Sequence, residues 1–243
     1  VRNTVRNNQR ENTRDDYLNG TAIVSGEKYG TFYGFAFNGL DPANGRPTFK
    51  NMDIDVTEND LDYLVKIGCM EPDISGGLNT SLRYKRLVLR ASFAMSFGAQ
   101  ALLPDFFATA GAPRPEQNAP RYLFKRWRKP GDEKITNVPS LPNMISSAKT
   151  IKVVGEETNP YDMYANSTIR VVDAWYLRCG SISLSYSLPE RLLPGTLQHL
   201  GFTFSLGNPF QIRSKDFKGR DPEVALGGQP LSRTMSLGVS VSF

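Results

Sequence analysis

The sequence predicts an all-β chain whose antiparallel strands form part of the wall of a large transmembrane β-barrel. Polar and apolar residues alternate with a period of two along several stretches, as in strands whose two faces meet different surroundings. The last stretch, residues 233–243, has about the 9–11 residues that a tilted strand needs to cross a bilayer. The connections between stretches are either short or very long, which is typical of barrels with turns at one rim and loops at the other.

Six stretches carry the strand pattern, and the clearest is the last. One face of that stretch holds the larger apolar side chains, namely Met235, Leu237, Val239, Val241 and Phe243. The positions between them hold serine, threonine or glycine and no charge. In chain order, we predict strands over residues 29–38, 78–84, 87–98, 175–188, 201–207 and 233–243.

The fourth predicted strand changes phase along its length. Leu177 and Cys179 lie at odd positions, whereas Ile182 and Leu184 lie at even positions. One extra residue in a strand, a β-bulge, reverses the facing of the residues beyond it. Because Gly180 lies between the two phases, we predict a bulge there.

The connections separate into two groups by length. Residues 85–86 form a two-residue hairpin turn and residues 189–200 a compact turn region. Residues 39–74, 99–172 and 208–232 are long connections, which are uncommon inside a compact soluble domain. If successive strands alternate in direction, every long connection falls at one rim of the barrel and both short ones at the other.

A soluble β-sandwich explains the alternation equally well, because its apolar faces meet in a dry core. Two details favour the barrel. Arg83 and Arg90 lie on the polar faces, as a wet lumen allows, and tyrosine and phenylalanine occur near strand ends. The two alternatives differ at Leu237, Val239 and Val241, which a sandwich buries and a barrel wall exposes.

Composition argues against several other classes of protein. No apolar run approaches the roughly 18–20 residues of a membrane-spanning helix, and residues 1–20 are too polar for a secretory signal. The net charge of +5 is spread along the chain, and the tightest basic cluster, residues 125–129, is interpreted as a solvated loop. Cys69 and Cys179 have no metal-ligand spacing, and nothing around His199 resembles a nucleophile motif. We therefore expect no enzymatic activity, cofactor or metal, and no binding of nucleic acid.

Two acidic motifs also have non-catalytic interpretations. The acidic residues between 53 and 62 do not follow EF-hand spacing and lack its central glycine. Asp221 and Glu223 flank Pro222, which we interpret as a rigid loop motif rather than a hydrolytic pair.

Several strings resemble those of one known family and occur in the family's order. Residues 176–189 are similar to the pattern F-L-R-L-(R/K)-N-I-S-L-x-Y-x-L-P, residues 207–210 to G-x-N-L-F, and residues 217–224 to Y-x-G-x-D-P-E-V. Residues 126–132 are similar to R-W-x-x-P-G-D, and residues 230–243 to P-x-x-R-x-x-x-x-G-x-x-x-x-F. On these strings the chain resembles the SusC/RagA branch of TonB-dependent outer-membrane transporters. Cys179 and Gly180 depart from the pattern, where a leucine and a basic residue are usual.

The resemblance implies that residues 29–243 are the C-terminal part of a barrel of about 22 strands, with long extracellular loops and short periplasmic turns. Residues 1–28 remain an unassigned N-terminal stretch. We therefore expect the chain to be a piece of a longer transporter, which would also carry the plug and the TonB-contacting segment.

The resemblance also implies a location and partners. It places the protein in the bacterial outer membrane, surrounded by lipid, and implies import of oligosaccharides or peptides. The implied partners are a SusD/RagB-like surface lipoprotein and, through parts of the longer chain, TonB. The alternative is a soluble all-β carbohydrate-binding module.

Arg126, Trp127 and Arg128 are the candidate contact residues for a ligand or partner. Aromatic faces stack on sugars, and guanidinium groups bind acidic or peptide groups. The alternative for Trp127 is packing within its own loop.

Overall fold

A computed structural model describes residues 3–7, 10–50, 63–103, 121–142, 151–153, 156–217, 221–224 and 228–243. The sheets are antiparallel and helices are few and short, so the all-β fold class is confirmed. The chain forms two compact units. We call Pro72–Ala99 with Asp173–Phe243 the sheet unit, and Arg2–Glu71 with Gln100–Val172 the aromatic unit.

The described strands are β1 (Thr31–Phe35), β2 (Phe37–Leu40), β3 (Pro47–Phe49), β4 (Leu64–Cys69), β5 (Ile74–Tyr84), β6 (Leu87–Phe97), β7 (Gln100–Leu102), β8 (Ile151–Val153), β9 (Glu156–Thr158), β10 (Val171–Asp173), β11 (Tyr176–Ser187), β12 (His199–Arg213) and β13 (Thr234–Ser242). The described α-helices are α1 (Arg14–Asn19) and α2 (Pro160–Ala165). Short 3-10 helices cover Arg121–Lys125, Asp132–Lys134, Thr168–Arg170, Glu190–Leu192 and Lys215–Phe217.

The sheet unit is built on one five-stranded sheet with the order β13-β12-β11-β6-β5. Every neighbouring pair is antiparallel. Five of the six strands predicted from alternation are therefore confirmed. Strand β12 is longer than expected, because it continues through residues 208–213, which the sequence analysis assigned to a loop.

The predicted bulge at Gly180 is confirmed. Between Cys179 and Ser181 the pairing of β11 shifts by one residue against β6, which makes Gly180 the extra residue. The neighbouring strand β12 is also irregular at this level, and Asn208 adopts a positive φ of 50°. The bulge brings Leu177 and Cys179 to the same face as Ile182 and Leu184, and it moves Arg178 to the opposite face.

Cross-strand pairing divides the sheet into two unlike faces. One row of directly opposed residues is apolar and crosses all five strands, through Leu82, Leu89, Leu184, Phe204 and Leu237. The next row is polar, through Ser81, Arg90, Ser183, Ser205 and Ser236. We call these sides of the sheet the apolar face and the polar face.

The connections of the sheet are sorted by length, as predicted. The two-residue turn after β5 and the residues 188–198 between β11 and β12 lie at one end, which we call the turn end. The chain passes at the opposite end from β6 to β11 and from β12 to β13 through much longer connections. Antiparallel strands joined in this way match the expected barrel-wall topology.

The prediction of a sixth wall strand over residues 29–38 was wrong. These residues form β1 and β2, which lie in the aromatic unit and pair with β4 and β3. Phe32 and Phe35 are fully buried there. Their aromatic pattern reflects a packed interior rather than an alternating membrane strand.

The aromatic unit has a hydrophobic core of its own. Its buried members are Phe35, Phe49, Tyr63, Leu64, Leu123, Tyr161, Met163 and Tyr164. The ring of Phe35 stacks on Tyr63 at 5.9 Å between centroids, and Phe37 meets Tyr164 edge-on at 5.6 Å. The two longest predicted loops therefore contribute strands, helices and a core in their described residues.

Each of the two described α-helices begins with a side-chain cap. At α1, Thr13 and Asp16 form a capping box, and Gly20 ends the helix in a left-handed conformation. At α2, the side chain of Asn159 accepts from the amide of Tyr161, and Pro160 occupies the first turn. No helix among the described residues is long and apolar enough to cross a membrane.

Candidate functional site

The apolar face of the sheet unit is exposed. On the edge strand β13, the exposed fractions are 75% for Leu237, 58% for Val239 and 46% for Val241. Large side chains on the other strands are also exposed, including Leu78, Leu82, Leu89, Leu184, Phe202, Phe204, Phe210 and Ile212. Soluble monomers rarely leave a continuous apolar surface of this kind uncovered.

Aromatic residues lie at both ends of the apolar face. Tyr84, Tyr186 and Phe243 are exposed at the turn end. At the opposite end, the rings of Phe97 and Trp175 stack at 6.1 Å between centroids. Strand β6 has 11 residues, and a tilted strand of that length spans about 25 Å, the height of the apolar band in outer-membrane barrels.

The polar face carries small hydroxyl side chains that pair across strands. Ser92 Oγ lies 2.8 Å from Ser181 Oγ, and Ser185 Oγ lies 3.1 Å from Thr203 Oγ1. Arg90 lies on the same face. Hydroxyl groups satisfied in this way suit a hydrated surface, and they are unlike the interior of a dry sandwich.

A buried ionic cluster at the end of the sheet opposite the turn end joins the loop after β12 to the polar face. Arg178 on β11 and Asp221 in the loop are each only 6% exposed and form an ion pair. Glu223 forms a second ion pair with Arg178, through its Nε. Gln211 lies directly opposite Arg178 on β12 and donates from Nε2 to Asp221 Oδ1 at 2.9 Å. We call Arg178, Gln211, Asp221 and Glu223 the loop anchor.

The loop anchor favours the ionised form of Asp221. Burial raises the pKa of this carboxyl group, but hydrogen bonds from Arg178 and Gln211 and from the Glu223 amide lower it. The net result is a pKa below the ordinary value of aspartic acid. The Asp221 carboxylate and the Arg178 guanidinium are buried together. Loss of either group would leave the other as an unpaired buried charge, which is costly.

Sequence reasoning identified both halves of the loop anchor without connecting them. Arg178 lies in the string of residues 176–189 and Asp221 in the string of residues 217–224, of which 218–220 lie outside the described residues. The phase change at Gly180 was the available signal, because it implies that Arg178 faces the polar side. Nothing local indicated which carboxylate would meet it.

The three predicted contact residues lie together in the aromatic unit, with different exposures. Trp127 is 9% exposed, and its indole packs against Gly45, while Arg128 is exposed. Arg126 donates to the carbonyl of Leu123 at 3.3 Å. The neighbouring aromatic residue, Phe124, is 73% exposed and was not singled out from the sequence. Contact with a ligand or partner stays a prediction.

Acidic side chains hold the backbone of the segment that follows Trp127 in place through hydrogen bonds. Asp132 Oδ2 accepts from the amides of Arg128 at 3.0 Å and Lys129 at 3.2 Å. Glu133 Oε2 accepts from the amide of Gly131 at 2.7 Å and from Trp127 Nε1 at 3.3 Å. Hydrogen bonds from backbone amides, its own first, hold the pKa of Glu133 below its ordinary value.

The remaining sequence candidates have structural surroundings or lie outside the described residues. His199 begins β12 opposite Ser242, and Cys69 and Cys179 are both free thiols. Within the described part of the chain, no three histidine, cysteine or acidic side chains come together as a metal site. The acidic residues between 53 and 62 lie outside that part.

Comparison with known proteins gave matches only to solved structures, since neither a family model nor a curated protein matches the chain. The chain is similar to one in the RagAB peptide importer in its open-open state, with 22% sequence identity and a TM-score of 0.61 over 90% of this chain and 23% of that chain. It is similar to one in the RagAB peptide transporter, with 23% identity and a TM-score of 0.62 over 90% and 24%. It is also similar to one in the RagAB peptide importer in its closed-closed state, with 23% identity and a TM-score of 0.61 over 90% of this chain and 24% of that chain. The chain therefore shares the fold of about a quarter of these chains.

Proposed function

We propose that this chain is part of a TonB-dependent outer-membrane importer of the SusC/RagA type, and that it supplies barrel wall and extracellular loops. The observation that carries the proposal is the exposed apolar face, which crosses all five strands of the sheet unit. Lipid hydrocarbon can cover such a face without leaving backbone polar groups unpaired, because neighbouring strands already pair them within the sheet.

The edges of the sheet support a place within a larger wall. Strands β5 and β13 each pair on one side only among the described residues. An unpaired strand edge inside a bilayer leaves amide and carbonyl groups without partners. In the proposed transporter, further strands pair with both edges and close the barrel.

The loop anchor supports a role for the loop after β12. In a barrel, Arg178 and Gln211 face the lumen, and Asp221 ties the loop to them. The anchor then holds the loop close to the wall and keeps its course fixed beside the pathway. This is a positioning role, and no bond is made or broken by these residues.

The proposed cargo is an oligosaccharide or a peptide, and peptides are the class to test first because the similar solved structures are peptide importers. The proposed partners are a SusD/RagB-like surface lipoprotein and TonB. Arg126, Trp127 and Arg128 are the proposed contact residues. Trp127 supports the segment from within, whereas Arg128 and its neighbour Phe124 present the exposed surface.

A pair of arginine substitutions on β13 tests the membrane-facing wall. Leu237→Arg places a charge on the apolar face, where it costs about 2–4 kcal/mol near the bilayer midplane. Ser236→Arg places the same charge one residue away on the polar face. In the full-length protein that carries this chain, we expect Leu237→Arg to reduce insertion into lipid vesicles, measured by protease protection, and Ser236→Arg to leave insertion near the level of the unsubstituted protein. Equal insertion of the two variants would refute the proposed orientation of the sheet.

Uptake measurements test the transport function itself. Cells that carry the protein should deplete labelled peptides from the medium, and inactivation of TonB should stop this depletion. Labelled oligosaccharides measured in parallel distinguish the two cargo classes. Uptake of both that is unaffected by loss of the protein would contradict the proposal.

The alternative, a soluble carbohydrate-binding module, requires the apolar face to be buried in a protein core. A chain of that kind stays soluble and monomeric without detergent. The exposure of Leu237, Val239 and Val241 supports the transporter over this alternative.

A further inference from the structure

A groove of about 670 Å³ lies at the turn end of the sheet unit. The residues that matter for its chemistry are Tyr84, Lys85, Arg86, Leu87, Tyr186 and Arg191. The tyrosines and Leu87 belong to the apolar face, and the basic residues belong to the turns beyond it. The groove therefore has an apolar wall on one side and a charged rim on the other.

The rim of the groove is positively charged. Lys85, Arg86 and Arg191 contribute three positive charges, and Glu190 contributes one negative charge, so the groove carries a net charge of +2. All four residues are exposed to solvent. Such a groove complements an anion and discriminates against a cation.

Lys85 occupies a backbone position at which a lysine is unfavourable. Its φ is +54°, in the left-handed region that glycine and asparagine adopt more easily. The lysine places its Nζ 5.4 Å from the centroid of the Tyr84 ring, beside the groove. Glycine or asparagine would make the turn with less strain, so turn formation alone does not account for a lysine at this position.

Arg86 is held in place by the opposite turn region. Its Nη1 donates to the carbonyl of Leu188 at 2.7 Å. A guanidinium has five N–H donors in a planar fork, and Arg86, which lines the groove, uses one of them in this bond. A fork fixed in this way is suited to a phosphate group.

We propose that this groove binds the phosphate headgroup of an anionic phospholipid, whose acyl chains continue along the apolar face beside Leu87 and Tyr186. The proposal rests on the membrane location in the proposed function, because the acyl chains need a lipid-facing wall. Phosphate recognition alone is also compatible with a free phosphate ion. The apolar wall directly beside the basic rim favours a phospholipid over a free phosphate ion.

The test uses the full-length protein that carries this chain, inserted in vesicles of phosphatidylcholine that contain trace amounts of spin-labelled lipid. Association of labelled phosphatidylglycerol is compared with that of labelled phosphatidylcholine. The variant Lys85→Gln with Arg191→Gln removes two rim charges and keeps Arg86, which supports the turn. The matched control, Arg83→Gln with Arg90→Gln, removes two charges from the polar face of the same hairpin. Protease protection reports insertion of each variant separately.

We expect the unsubstituted protein to prefer phosphatidylglycerol and the rim variant to lose this preference by roughly thirtyfold, since each of the two basic residues removed contributes about 1 kcal/mol near the surface. The control should retain the preference. An inserted chain without a preference, or an equal loss in rim and control variants, would overturn the lipid site alone. Displacement of the labelled lipid by inorganic phosphate at an equal concentration would overturn it in favour of a free-anion site, because the acyl chains would then contribute nothing to binding. A full-length protein that fails to insert would overturn the proposed function and the lipid site together.

Discussion

At the scale of single residues, Gly45 shows how an absent side chain positions another residue. Its φ is +69°, and a Cβ built on it would lie 2.3 Å from Cδ2 of Trp127. The indole occupies the space that any other residue at position 45 would need. Because Trp127 Nε1 also donates to Glu133, the indole joins Gly45 to the segment of predicted contact residues.

Gly45→Ala should therefore destabilise the aromatic unit by more than about 2 kcal/mol, through backbone strain and the clash with the indole. Gly131→Ala is the matched control, because Gly131 also has a positive φ, of +102°, but nothing lies within 4 Å of its would-be Cβ. It should cost about 1 kcal/mol. Denaturant unfolding of both variants in a Trp175→Phe background, followed by Trp127 fluorescence, measures the two losses of stability. Equal losses would show that the indole moves and relieves the clash in Gly45→Ala.

Asp221 makes stability depend on pH in a defined window. Its pKa is lowered in the folded chain, so its contribution is present above the unfolded pKa of about 4 and is lost as pH falls through the folded pKa. Asp221→Asn should be less stable than the unsubstituted chain at pH 6, and this difference should shrink below about pH 4. Thermal unfolding of both proteins across this pH range measures the difference in stability. A difference that does not change with pH would contradict a lowered pKa of Asp221 in the folded chain.

At the scale of the element, the bulge in β11 determines which residues reach the polar face. If Gly180 were paired as an ordinary strand residue, Arg178 would share a face with Ile182 and Leu184, and its charge would point toward the apolar side. Because the bulge leaves Gly180 out of the ladder, Arg178 lies beside Gln211 and meets Asp221. The bulge therefore makes the loop anchor geometrically accessible.

Arg178→Met should abolish the loop anchor and cost about 3 kcal/mol or more, because Asp221 loses its buried partner. Gly180→Ala keeps both the bulge and Arg178 and should cost only about 1 kcal/mol, since the nearest atom to a new Cβ is Ser92 Oγ at 3.2 Å, which can rotate away at the expense of one hydrogen bond. Urea unfolding of the two variants in detergent provides the comparison. A tolerated Arg178→Met substitution would mean that the anchor contributes little to stability.

At the scale of the whole molecule, the two units are stabilised in different ways. The aromatic unit buries its large side chains in a core of its own. The sheet unit leaves its apolar face exposed and depends on its surroundings to cover it. The stability of the sheet unit should therefore respond to lipid, whereas that of the aromatic unit should not.

The chain's two tryptophans allow this difference to be measured, since Trp127 lies in the aromatic unit and Trp175 in the sheet unit. In Trp127→Phe, the remaining fluorescence reports Trp175, and its unfolding midpoint in urea should rise when detergent is replaced by lipid vesicles. In Trp175→Phe, the signal from Trp127 should keep its midpoint. A common shift of both signals would show one cooperative unit.

The amino-acid sequence by itself determined the strands of the sheet, their two faces and the bulge at Gly180. These features are local, because side chains alternate with a period of two and one extra residue inverts that order. The tertiary structure alone decided that residues 29–38 pack in a separate core, that Trp127 is buried against Gly45, and that Arg178 meets Asp221. Each of these contacts joins residues far apart in the chain, and their choice depends on how long connections close and on which side chains fill the remaining space.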